Sequence, residues 1–261
     1  MTNTDDIIIK TPQQIESIKT SGKYLNELLR IIFDKAQAWV SLMELENIAE
    51  AFMKQHDIKG AFKNYEGFPC NLCLSVNDGV VHGIPDNYVL QNGDVLKIDA
   101  GVTYKWWISD SAITKIIWWE MANPLGYALA QATFNALNHA MKEVKPGAPV
   151  FNYSNAMSNF IKKTGFSLIL KLTGHGVGVK VHEAPHIYNY PRKDTKKIFF
   201  KPGMVLAFEP ITAITSTDFE HRDSAWNLYC KNSDLGAHRE YTIVVTENWY
   251  EMISWITEFL Q

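Results

Sequence analysis

The sequence predicts an α+β fold built from two similar halves, each opening on two helices and closing on strands. Two helix-start signals stand near the beginning, strand-like runs broken by turn formers follow, and the same order then recurs. Thr11-Pro12-Gln13-Gln14 places a capping threonine, a proline at the first helical position and a glutamine in the first turn, ahead of Ile15, Ile18, Leu25, Leu28 and Leu29. Ser41-Leu42-Met43-Glu44 is a second such start, followed by Leu45, Ile48, Ala49, Phe52 and Met53 at helical spacing. Strands are expected over 72–76, 95–102 and 111–118, with turns at Asp78-Gly79 and Asn92-Gly93. In the second half a helix is expected over 124–143, stopped by Pro146-Gly147, then a shorter helix over 151–163 and strands over 204–212 and 241–246. No low-complexity linker separates the halves, roughly 12–120 and 121–250, so they are read as lobes of one domain spanning 1–261.

Composition bounds the function. With 261 residues and 46% apolar content the chain has material for a sizeable core. A formal charge of -3 supplies no basic field for phosphate backbones, which argues against nucleic acid as a partner. The opening Met-Thr-Asn-Thr-Asp-Asp has no basic n-region, and no run approaches the ~18 consecutive apolar residues of a membrane span. A cytoplasmic protein is expected, in keeping with three cysteines (Cys70, Cys73 and Cys230), too few for a disulfide framework.

The chemistry-bearing residues are acids in apolar company. Asp99 lies in Val95-Leu-Lys-Ile-Asp-Ala-Gly101 and Asp110 in Ile108-Ser-Asp-Ser-Ala-Ile-Thr114; Glu209 and Glu240 repeat the pattern in Met204-Val-Leu-Ala-Phe-Glu-Pro-Ile211 and Arg239-Glu-Tyr-Thr-Ile-Val-Val245. One acid in a strand usually faces water, but four such acids call for a common cause. Carboxylates converging to ~4 Å repel by about 4 kcal/mol per pair at an effective dielectric of 20, so cations or protons must relieve the site. His175, in Thr173-Gly-His-Gly-Val-Gly178, is a candidate nitrogen ligand flanked by glycines that permit close approach. A phosphate-loop reading of that segment fails because no Gly-Lys-Ser/Thr follows. His82 in Val80-Val-His-Gly-Ile-Pro85 and His182 in Val181-His-Glu-Ala-Pro185 complete the candidates. Oxygen-rich sites with one imidazole suit manganese, iron, cobalt or zinc, without selecting among them.

These segments, in this order, resemble type I methionine aminopeptidases of the pita-bread fold over nearly the whole chain. The resemblance implies a fold of two pseudo-symmetric helix-helix-strand halves and a centre of two divalent ions. In it Asp99 chelates one ion, Asp110 and Glu240 bridge both, and His175 with Glu209 completes the second. It implies Glu209 as proton carrier, His182 on the substrate carbonyl oxygen and His82 on the scissile amide. Tyr65, Phe68, Cys73, Val181 and Trp226 are placed around the methionine side chain. Nascent polypeptide N-termini with small second residues are the implied substrates, delivered through a transient ribosome contact; nothing dictates assembly, so a monomer is expected. The short interval between His175 and Glu209 leaves no room for the inserted subdomain of the type II enzymes, and no N-terminal extension is expected.

Departures from the family pattern are Val81 where cysteine is common, Val181 where phenylalanine is frequent, and His238-Arg239-Glu240-Tyr241 around a bridging ligand. The first two imply a wider pocket and the third an altered metal affinity. Lys105-Trp-Trp-Ile-Ser109 is bulkier than the glycine-containing turn the family leads one to expect. Two other readings remain: a same-fold Xaa-Pro aminopeptidase or prolidase, against which length and the His82 motif argue, and a non-catalytic binding relative, whose mark is lost ligands. Cys70-Asn-Leu-Cys73 has the spacing of a redox pair or of half a zinc site, but no second cysteine pair exists and the segment runs into a strand where a helix N-terminus is needed to acidify a thiol. Trp106, Trp107, Trp118 and Trp119 are assigned to alternating burial on a sheet, and 249–260 to packing.

Overall fold

The computed structural model describes residues 6–254. Both capping signals start helices: α1 spans Pro12–Lys35 and α2 spans Leu42–Gln55, and in each the cap hydroxyl accepts from the residue three positions on while that residue's side chain accepts from the cap N–H. The apolar stripe of α1, including Leu25, Leu28, Leu29 and Ile32, is fully buried, each side chain contributing about 1.5–3 kcal/mol of burial. It lies on an antiparallel sheet of β1 (Lys59–Gly60), β2 (Leu72–Val76), β4 (Val95–Tyr104) and β5 (Trp107–Ile116), in which β4 sits between β2 and β5. From α2, buried Glu46 accepts the Asn71 and Leu72 N–H groups and so fixes where β2 begins.

The second half repeats this order. Helices α3 (Pro124–Met141) and α4 (Val150–Thr164) pack on each other and cover an antiparallel sheet ordered β15, β14, β9, β7, β8. Those strands are Thr173–Gly176 (β7), Glu183–Tyr188 (β8), Val205–Phe208 (β9), Tyr241–Val245 (β14) and Tyr250–Ser254 (β15). Two small sheets complete the fold: β10 (Ile211–Ala213) between β6 (Ser167–Leu168) and β13 (Gly236–His238), and β12 (Leu228–Cys230) between β3 (Gly79–Val81) and β11 (Phe219–His221).

Four sequence expectations need correction. The strand expected over 204–212 is two strands in different sheets, β9 and β10, parted at Glu209-Pro210; proline has no N–H for the ladder and ends the pairing there. The partner ribbon breaks opposite it, so Glu240 stands between β13 and β14 and not inside a strand. The strand expected over 111–118 is β5, shifted toward the N-terminus, because Lys105 and Trp106 form the hairpin turn, both with positive φ (46° and 75°). Trp106 is therefore 79% exposed, and Trp118 and Trp119, beyond the end of β5, are also exposed; of the four tryptophans only Trp107 is partly buried on a strand. Of the segment assigned to packing, β15 buries Ile253 against α1, where a Cβ on Gly22 would meet the Ile253 carbonyl; residues 255–260 lie outside the described residues.

Candidate metal centre

Strand order explains why the acids converge. Asp99 lies mid-β4 facing the Cys73 position of β2, and Asp110 lies across the hairpin on β5, opposite Gly101. The second half is laced onto β5 at this point. Thr242 Oγ1 donates to the Asp110 carbonyl and accepts from its N–H (2.7 and 3.1 Å), Ser111 Oγ donates to the Glu240 carbonyl (2.6 Å), and the Glu240 N–H donates to Ala112 O (2.9 Å). Asp110, His175 and Glu240 each offer a ligand atom within 4.8 Å of the others, and all three are buried.

Glu209 lies beside this triad, its Oε1 3.4 Å from His175 Nε2 and its Oε2 3.7 Å from His238 Nε2. Asn189 Nδ2 donates to the Glu209 carbonyl, and Asn189 in turn accepts from the Tyr153 hydroxyl. His175 rides on β7, where glycine at 174 and 176 is required because a Cβ at either would approach the carbonyls of Ala207 or Ala184 within 2.4 Å. Those glycines serve strand packing, as the failure of the phosphate-loop reading implies. The His175 Nδ1 lies 2.9 Å from the Gly176 carbonyl. A carbonyl only accepts, so Nδ1 carries the proton and Nε2 presents a lone pair toward Glu209.

Electrostatics defines what this arrangement needs. Burial, reinforced by neighbouring carboxylates, holds Asp99, Glu209 and Glu240 well above the usual carboxylate range, and burial pushes Asp110 up to about 8. Asp99 Oδ1, Asp110 Oδ1 and Glu240 Oε1 have no hydrogen-bond partner among the described residues. Orphaned carboxylate oxygens around an imidazole lone pair form a donor set that divalent cations satisfy.

The donors open into a cavity of about 300 Å³. All five ligands proposed from the sequence, four acids and His175, line it, together with His82 and His182. Its apolar wall contains Tyr65, Phe68, Cys73, Val181 and Trp226, with the Val81 departure beside them. Trp226 meets Phe68 edge-on at 5.3 Å and His82 at 6.3 Å, and the Tyr65 hydroxyl lies 3.1 Å from His182 Nδ1. His82 takes a left-handed backbone conformation (φ 57°) as the chain leaves β3, an unusual state for a non-glycine residue of the kind that collects at functional sites. Burial lowers the His182 pKa and pushes His82 down to about 4, so both rings are neutral near pH 7.

A model of metallopeptidase family M24 matches residues 16–247. A methionine aminopeptidase of Mycoplasma capricolum is 35% identical over 95% of this chain and 98% of its own. The chain belongs to the methionine aminopeptidases of metallopeptidase family M24. The crystal structure of a Thermotoga maritima methionine aminopeptidase superposes with a TM-score of 0.91 at 32% identity, covering 95% of this chain and 99% of that one. A Pyrococcus furiosus prolidase shares the fold at a TM-score of 0.76 and 22% identity, over 98% of this chain and 67% of its own. The architecture is the pita-bread fold.

Several parts of this M24 centre carry no mark in the sequence. Tyr153 and Asn189 support Glu209 from α4 and the loop after β8. Lys10, ahead of α1, forms a buried ion pair with Glu183 (2.6 Å), whose other oxygen accepts the Val179 N–H, so the turn bearing Val181 and His182 is held from the far end of the chain. A Cβ on Gly178 would meet this same Glu183 carboxylate. Of the family departures, Arg239 turns away from the centre and lies 5.1 Å over the rings of Phe134 and Tyr241, whereas His238 faces it. The redox reading of the cysteine pair finds no support: all three cysteines are free and buried, and burial pushes Cys70 up to about 11 and Cys73 well above its ordinary value.

Proposed function

We propose that this protein removes the N-terminal methionine from nascent proteins and peptides by hydrolysis, favouring small second residues. The observation that carries the reading is the set of orphaned, buried carboxylate oxygens at one end of an apolar cavity, facing the Nε2 lone pair of His175. Asp99, Asp110, His175, Glu209 and Glu240 are the residues that would hold two divalent ions, with manganese, iron, cobalt and zinc all compatible with the donors. When bound, such ions supply an acidified water and positive charge for the peptide carbonyl.

The remaining work belongs to side chains. Glu209 takes a proton from the attacking water and returns it to the leaving amine, a contribution of typically ~10² to 10⁴ in rate. His182, neutral, donates to the carbonyl oxygen as negative charge develops there, its ring held in place by Tyr65. His82 contacts the scissile amide. Phe68, Cys73, Val181 and Trp226 enclose the methionine side chain, with about 1.5–3 kcal/mol of burial on offer. A one-methylene difference in such a pocket discriminates only about 10 to 200-fold, so norleucine-like side chains are accepted too. The protein is proposed to act as a cytoplasmic monomer on emerging chains, with a transient ribosome contact. Among the described residues no helix is long and apolar enough to cross a membrane.

The test is methionine release from Met-Ala-Ser and from a Met-Pro peptide by metal-stripped protein, with manganese, cobalt, iron or zinc restored singly. Metal-dependent release of methionine, absent with an Ala-Pro peptide, is expected. Cleavage confined to bonds before proline points to prolidase-like action, and no cleavage with any metal points to a binding role.

A further inference from the structure

His238 is the buried histidine that the proposed reaction leaves unused. It is 2% exposed at the end of β13, and neither ring nitrogen has a hydrogen-bond partner among the described residues. Its placement is firm, because its N–H donates to Thr114 Oγ1 (2.9 Å) and its carbonyl accepts from the same hydroxyl (2.8 Å). Residues two apart in extended chain face the same side, so His238 and Glu240 point together toward the centre while Arg239 turns to Phe134. The nearest ring nitrogen, Nε2, stands 3.7 Å from Glu209 Oε2. That is slightly too long for a hydrogen bond, and closing it by about 0.7 Å makes an ordinary N–H···O contact.

Glu209 needs such a donor. The other imidazole beside it, His175, has its proton on Nδ1 and faces Glu209 Oε1 with a lone pair, so it cannot donate. Asn189 reaches only the Glu209 backbone carbonyl. A carboxylate left with no fixed donor is free to rotate about its last side-chain bond, and so to present either oxygen, or neither, to a ligand.

We propose that His238 is a positioning residue: its neutral Nε2–H donates to Glu209 Oε2 and thereby turns Oε1 toward His175 and the metal position. The assignment rests on the reading of Glu209 as a ligand and proton carrier. It gives the His238 departure from the family pattern a task, that of orienting one carboxylate through an uncharged donor. Partners that orient metal-binding groups in this way are typically worth 10 to 100-fold in metal affinity or activity.

The experiment compares parent protein, His238→Ala and His238→Gln, the glutamine restoring an uncharged N–H donor of similar reach. Metal-stripped samples are titrated with Mn(II) by calorimetry and with Co(II) by visible absorption, and kcat and KM for methionine release from Met-Ala-Ser are measured on the metal-loaded proteins. His238→Ala is expected to lose about 10-fold or more in metal affinity and in kcat with KM little changed and an altered Co(II) spectrum, and His238→Gln to recover most of both. Parental affinity, spectrum and kcat in His238→Ala overturn the proposal. Loss of a whole equivalent of metal that glutamine fails to restore also overturns it, by making the ring a ligand. Asp110→Ala serves as the separate control: if it too binds metal normally, the reading of the centre fails and not only that of His238.

Discussion

The four acids of the centre reach it in two different ways. Asp99 and Asp110 sit inside the regular β4–β5 hairpin, where an unbroken ladder from Val95 to Ile116 sets their positions. Glu209 and Glu240 sit where a second ribbon breaks between two sheets, outside any ladder pairing of their own. A ladder locates a side chain through many weak, redundant contacts, whereas a break locates it through a few specific ones: Pro210, Asn189 and Tyr153 for Glu209, and Ser111 and Ala112 for Glu240. The hairpin supplies precision that tolerates neighbouring change; the break supplies reach into the cavity and depends on its neighbours.

The largest effect tests what both regions share. Asp110→Ala and Glu240→Ala should each abolish metal binding and lower methionine release by roughly 10³-fold or more, because each leaves the other buried acids short of a cation. Retained metal in either variant, read by calorimetry, removes that acid from the ligand set. His82→Ala should keep its metal and lose about 10² to 10³ in kcat; normal turnover would take His82 out of the mechanism. The next pair separates the two regions. Asn189→Ala, at the break, should lower kcat by about 10-fold, while Thr242→Val, behind the hairpin, should cost about 1–3 kcal/mol in thermal stability with activity within roughly threefold. Equal activity losses in the two variants would erase the distinction.

The pH dependence of the metal-free protein has a definite sign. Asp110, with a folded pKa of about 8, binds its proton more tightly in the native state than unfolded, as do Asp99, Glu209 and Glu240. Stability therefore falls as pH rises toward 8. His175 and His238, pushed down to about 3, act oppositely and lose stability as pH falls below 6.5. Between about pH 6.5 and 8 the four raised carboxylates are opposed by Lys97 and Lys115, which burial pushes down to about 7 and about 8 and which favour the folded state as pH rises. With the acids in the majority, the unfolding midpoint of metal-stripped protein should drop by roughly 2 °C or more. Saturating Mn(II) should remove most of that slope; a flat profile without metal would mean the acids do not share one buried site. The smallest effect lies at the hairpin's outer end, where Trp106→Gly relieves a positive φ and should stabilise by about 1 kcal/mol without changing activity.

The sequence made the helices legible because capping is local: Thr11 with Gln14 and Ser41 with Glu44 are readable within four residues. The apolar settings of Asp99 and Asp110 were legible for the same reason. The breaks at Glu209 and Glu240 were overlooked although Pro210 marked one of them, since an apolar run continues across it into the next strand. The tryptophans misled because hydrophobicity does not say where a hairpin turns, and the turn at Lys105 and Trp106 puts Trp106 into water. Tyr153, Asn189 and the Lys10–Glu183 pair were illegible because each acts across a large sequence separation.

That separation bears on biosynthesis. The Asp110 carbonyl accepts from Ser254 Oγ, and Lys10 clamps Glu183 across 173 positions. As the chain is made from its amino end, Asp99 and Asp110 are available long before Glu240 and the β15 strand that back them. Pairings of such span close late in folding. An amino-terminal fragment therefore carries acids with no complete cradle, and hydrolytic capacity is withheld until β15, the last strand among the described residues, has been synthesised and docked.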